Sequence, residues 1–158
     1  MASNVATQHW RCCNKLEMWD HDPDSASATL VTPDAGTTKR GFDMKDFGGF
    51  VCAAMAKPLT GNGITKLEIV AYSDSALSAN ATVVKDSGTV TADAVGDWVI
   101  EECTAEELST LSATAGAELR YLAGRLTLQN SADECTVIYI GADAAQKYLN
   151  QTPATTIA

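Results

Sequence analysis

Aromatic side chains make up only 6% of this 158-residue chain, and there are just two histidines. Both, His9 and His21, lie near the N-terminus. A Ser or Cys nucleophile needs a His and a carboxylate nearby, and no GxSxG elbow or glycine-rich phosphate loop occurs anywhere. The expectation is a protein that is not an enzyme. Basic residues are also scarce, 11 against 20 acidic, for a net charge of −9. They are scattered, whereas a nucleic-acid surface needs them clustered to replace counterions. No apolar run approaches the roughly 20 residues needed to cross a bilayer. Neither nucleic acid nor membrane is therefore expected as a partner. A basic segment followed by an apolar core is missing from the N-terminus, so synthesis in a reducing cytoplasm is expected. The five cysteines, Cys12, Cys13, Cys52, Cys103 and Cys135, are then free thiols.

The metal-like clusters fall short of their templates. His9, Cys12 and Cys13, with His21 beyond, have zinc-type ligands but not paired CxxC or HxxxH spacing. Adjacent cysteines in an extended strand point to opposite faces, so both can hardly bind one ion. Asp20, Asp22 and Asp24 resemble the start of a calcium loop, but Ser25 stands where glycine is needed and Val31 where the closing glutamate is needed. No cofactor and no metal is expected. Glu101-Glu102 and Glu106-Glu107 read as a strand end and a helix N-terminus, where negative charge is favoured.

What the chain does have is apolar material in short runs, 46% of residues, with many Ala and Val. The central stretch runs from Phe42 to Asp74. Two runs, Phe47–Ala56 and Ile64–Tyr72, flank the connector KPLTGNG, and this pattern predicts a β-hairpin. In the first, Phe50, Cys52, Ala54 and Ala56 share one face and Val51, Ala53 and Met55 the other, as in a strand that is buried on both sides or lies inside a sandwich. Further strands are expected at Leu16–Trp19, Ala28–Thr32, Thr82–Lys85, Gly88–Thr91, around Trp98 and Ile100, at Glu118–Leu128 and at Cys135–Ile140. Trp98 is expected in the core. Thr104-Ala-Glu-Glu107 is a capping box that starts one short helix, with Leu108 and Leu111 on one side and Gly116 at its end.

Strands separated by turn signals, one helix and no βαβ rhythm predict a mainly β fold. The expected form is a β-sandwich or jelly-roll-like domain over residues 42–143, preceded by an extended N-terminal arm, 1–41, and followed by a polar C-terminal tail, 144–158. The arm holds Trp10 and Trp19, large aromatics in a segment without a core of its own. They are read either as anchors at an interface or as side chains packed back onto their own sheet. With Leu16 and Met18 they form the candidate partner-binding set.

The ordered pieces FDMKDFGG, TKLEIVAYSD, DWVIEECTAEEL, AELRYLAGRLTLQN and CTVIYIGAD give residues 42–143 a further meaning. This pattern resembles the small structural proteins of tailed bacteriophages, among them the decoration or cement proteins of phage heads. The resemblance implies a non-enzymatic homo-oligomer, a trimer in form, on the outer surface of the capsid. There it would bind the major capsid protein and stabilise the head. Two other readings stay open: a β-sandwich module for carbohydrate or another surface, for which Tyr72, Tyr121 and Tyr139 are the available strand tyrosines, and a tail or head–tail connector component.

Overall fold

The structure is a computed structural model that describes residues 13–21, 28–32, 40–58, 63–130 and 132–144. Nine strands appear among these residues: β1 (Cys13–His21), β2 (Thr29–Val31), β3 (Phe42–Asp43), β4 (Phe47–Lys57), β5 (Ile64–Tyr72), β6 (Thr82–Asp86), β7 (Trp98–Thr104), β8 (Tyr121–Leu128) and β9 (Glu134–Ala144). A 3-10 turn, Met44–Asp46, joins β3 to β4, and one helix, α1 (Ala105–Ala115), follows β7. The strands form two antiparallel sheets. Sheet A has the order β1-β9-β4-β7; sheet B has the order β2-β8-β5-β6, with β3 also pairing along β8.

The sheets meet through their apolar faces, as a β-sandwich. Phe50, Cys52, Ala54, Ala56, Val99, Cys103, Cys135, Val137 and Tyr139 come from sheet A, and Val31, Phe42, Leu67, Ile69, Leu122 and Leu126 from sheet B, all in one buried cluster. Small residues allow the sheets to approach closely. A Cβ added at Gly124 would lie 2.8 Å from Cys52 Sγ, and one at Gly141 would lie 2.6 Å from Phe42 Cζ. Tyr139 crosses the interior: its hydroxyl donates to the Val31 carbonyl at 2.5 Å and accepts from the Gly124 N–H. Phe50 stacks edge-on to the Tyr139 ring, with centroids 5.0 Å apart.

The runs Phe47–Lys57 and Ile64–Tyr72 are strands as expected, but they do not form a hairpin. β4 lies between β9 and β7 in sheet A, and β5 between β8 and β6 in sheet B. Each carries one fully apolar face, and such faces can be satisfied side by side in one sheet or face to face across two. The connector from Pro58 to Gly63 can span about 20 Å, ample for sheets roughly 10 Å apart. Gly63 serves close approach here, since a Cβ would sit 2.0 Å from the Ala92 carbonyl oxygen, which accepts from Ile64 N–H. Ala92 makes an isolated bridge to Ile64, while the expected strand at Gly88–Thr91 is a loop running beside β5.

The segment read as an arm supplies strands to both sheets. β1 pairs with β9 along its length, and β2 places Val31 in the core. Trp10 and the tail beyond Ala144 lie outside the described residues.

Helix α1 begins as predicted. Thr104 Oγ1 accepts from Glu107 N–H at 3.2 Å, and Glu107 Oε2 accepts from Thr104 N–H at 2.9 Å. Gly116, with φ of 65°, closes it.

Candidate functional site

The two outer faces of the sandwich differ sharply. Sheet B's outer face is occupied by its own chain. Loop 73–80, held by Asp74 Oδ2 accepting from Ser78 and Ala79 N–H at 3.1 and 2.5 Å, lays Leu77 against Val70, Tyr72 and Ala123. Beside it lies an ionic cluster: Glu68 accepts from Arg125 Nε at 2.6 Å and from Lys66 Nζ at 3.0 Å, and Lys66 also reaches Asp86 at 2.9 Å, while Val83 on the edge strand β6 stays 41% exposed. Glu68 is 5% exposed. The Arg125 guanidinium holds its carboxyl below the usual carboxylate range, against the opposing effect of burial, with help from Lys66.

Sheet A's outer face has no such cover among the described residues. The strand register builds its centre in three cross-strand rows. In the middle row Met18, Ile138, Ala53 and Ile100 stand side by side. On one side lie Thr136, Met55 and Trp98, and on the other Ile140, Val51 and Glu102. Residues directly opposite in an antiparallel pair project to the same face. Met18 is 66% exposed, Ile100 59% and Trp98 45%, while Val51, Met55, Ile138 and Ile140 are half-buried between them. Val95, 77% exposed, sits in the turn leading into β7.

Trp98 is thus a surface residue, contrary to its expected place in the core. On β7 the core positions are taken by Val99 and Cys103, so strict alternation sends Trp98 and Ile100 outward. The sequence WVIEEC is apolar on both faces at its start, so alternation alone did not say which side was inside.

The candidate set divides. Met18 is on this open face; Leu16 and Trp19 occupy register positions opposite Ile140 and Val137; Trp10 lies outside the described residues. Ile100, Trp98 and Val95 were not singled out as binding residues. Their signal was present in the shared face of Trp98 and Ile100, opposite the apolar Ala53 and Met55.

Along β7 the charge at the rim of the face is negative. Asp93, Asp97 and Glu102 border β7; Asp97 Oδ2 accepts from Ala94 N–H at 3.1 Å, while Asp93 and Glu102 have no ion-pair partner among the described residues. Nearby cations are engaged: Lys57 with Glu134 at 3.6 Å and Lys85 with Glu107 at 2.5 Å.

Other chemistry is muted. Cys52, Cys103 and Cys135 are buried, and burial pushes the Cys52 thiol far up and Cys103 up to about 12, away from reactive thiolate. Among the described residues no three His, Cys, Asp or Glu side chains converge as metal ligands. Of the strand tyrosines, Tyr139 is in the core and Tyr72 is covered, leaving Tyr121 partly exposed beneath Arg120. A shallow hollow beside α1, about 550 Å³, is lined by Leu108, Ser112 and Gly116–Leu119 and holds no charged cluster. No helix among the described residues is long and apolar enough to cross a membrane. No protein-family model, curated protein or solved structure matches this chain.

Proposed function

We propose that the protein is a non-enzymatic structural protein that docks onto a larger protein assembly through the outer face of sheet A. The observation carrying this reading is the unbroken apolar grid Met18–Ile138–Ala53–Ile100 with Trp98 and Met55 beside it. A soluble domain seldom leaves such a face to water, and faces of this kind mark docking surfaces. Exposed Trp and Met are also side chains enriched at the centres of interfaces.

The assembly we propose is the head of a tailed bacteriophage, with the major capsid protein as partner, as the resemblance of residues 42–143 implies. The protein would then sit on the outer capsid surface as a homo-oligomer, a trimer on that resemblance, and stabilise the shell. Four strands about 4.8 Å apart and three rows about 7 Å apart give a face on the order of 400 Å². That is about half of what one partner contributes to a stable pairwise complex, near 800 Å². A contact this modest suits a protein present in many copies, where avidity adds what one site lacks.

The test is sedimentation of the purified full-length protein with phage heads, alongside native mass measurement. Pelleting with heads, and a multimeric mass, are the expected results. Protein that remains in the supernatant at all head concentrations contradicts the proposal.

A further inference from the structure

We propose that the surface received by the outer face of sheet A is apolar at its centre and basic at its border, and that it belongs to a different protein rather than to a second copy of this chain. This rests on the docking role proposed above and specifies the chemistry of the partner.

The argument is electrostatic. The centre of the face carries no charged side chain, so affinity there comes from burying Met18, Ile138, Ile100, Met55 and Trp98. Orientation must come from the border. Along β7 that border is Asp93, Asp97 and Glu102, while Lys57 of β4 and Lys85 of β6 are held by Glu134 and Glu107. A second copy would bring the same acidic border, from a chain that already carries a net charge of −9. Like charges set across an interface disfavour that pairing, whereas lysines or arginines around an apolar patch complete it. The small area reinforces the choice. A face of about 400 Å² gives a copy-to-copy pair little apolar burial to offset the repulsion.

The experiment is hydroxyl-radical footprinting of the full-length protein, reading Met18, Met55 and Trp98 by mass spectrometry. Two synthetic strand peptides serve as probes, one alternating leucine with lysine and one alternating leucine with glutamate. In dilute protein alone Met18 and Trp98 should oxidise readily. The leucine–lysine peptide should protect them, less so at high salt, and the leucine–glutamate peptide should bind at least about tenfold more weakly. The double variant Asp93→Lys, Glu102→Lys should reverse that preference; both positions are exposed, and a circular dichroism melt checks the fold.

Equal protection by both peptides, or by neither, overturns the proposal. So does protection that rises with protein concentration alone, which would make a second copy the occupant. Met18 and Trp98 that resist oxidation in dilute protein, whatever its concentration, would make another segment of this chain the occupant, with the same consequence. If peptide preference is absent but the protein still sediments with heads, the partner chemistry fails while the docking role stands; loss of sedimentation itself removes the docking role.

Discussion

At the scale of single residues, Tyr139 and Glu68 show how polar atoms hold this sandwich together. Tyr139 is 1% exposed and joins β9 of one sheet to β2 and β8 of the other through its hydroxyl. Tyr139→Phe keeps the ring but strips two buried backbone groups of their partner, so it should cost about 1–3 kcal/mol, seen as a lower urea midpoint with unchanged slope. Glu68 sets the acid limit. Because its folded pKa lies below the ordinary 4.5, the Arg125 pairing contributes stability above that pH and loses it as pH falls through the folded value. The urea midpoint should therefore hold from pH 7 to about 5 and drop in more acidic solution, and Glu68→Gln should shrink that drop. Glu101 works in the opposite sense. Burial raises its pKa, despite the nearby Lys85, so its charged form is the strained one. Glu101→Gln should leave the protein more stable at pH 7 and give little gain near pH 4, where the native carboxyl takes up a proton. None of these partners is readable from sequence spacing, because Glu68 and Arg125 are 57 residues apart and Tyr139 and Val31 are 108 apart.

At the scale of elements, what was legible is what local chemistry decides. Helix α1 is the clearest case: Thr104 and Glu107 are three residues apart, and their reciprocal bonds form wherever the chain enters a helix. Thr104→Ala should cost about 1 kcal/mol, measurable as a lower melting temperature with the β signal of the circular dichroism spectrum preserved. Strands β4, β5, β8 and β9 were legible for a similar reason, their runs of β-branched and small apolar residues. Their partners were not. The apolar faces of β4 and β5 are equally content beside or opposite each other, and only contacts far along the chain, β4 with β9 and β5 with β8, select the second arrangement. The same holds for β1. Its few alternating apolar residues look too weak to fold alone, and they do not need to, since β9 supplies the pairing. The polar loop 73–80 gave no hint that it covers sheet B, because the cover is one residue, Leu77, turned inward with a φ of 58°.

At the scale of the whole molecule, asymmetry is the informative property. One outer face is largely occupied by a loop and an ion cluster, with Val83 exposed at its edge; the other presents rows of Met, Ile, Val and Trp side chains. The sequence hinted at this through residues apolar on both sides of β4, the mark of a strand buried on both sides or lying inside a sandwich; β4 lies inside the sandwich, one face in the core and the other with Ala53 buried and Val51 and Met55 half-buried. Trp98 drew the wrong expectation for the same reason: an aromatic in a strand is usually core, and only the register with Met55 shows it pointing out. The measurement that bears most directly on the docking role is the affinity of Ile100→Glu for phage heads, set beside the unaltered protein in one sedimentation assay. Ile100 is 59% exposed, so the melting temperature should stay within a few degrees, while a charge placed in the middle row should weaken binding at least tenfold, about 1.4 kcal/mol. An intact variant that binds heads as tightly as the original would contradict the account.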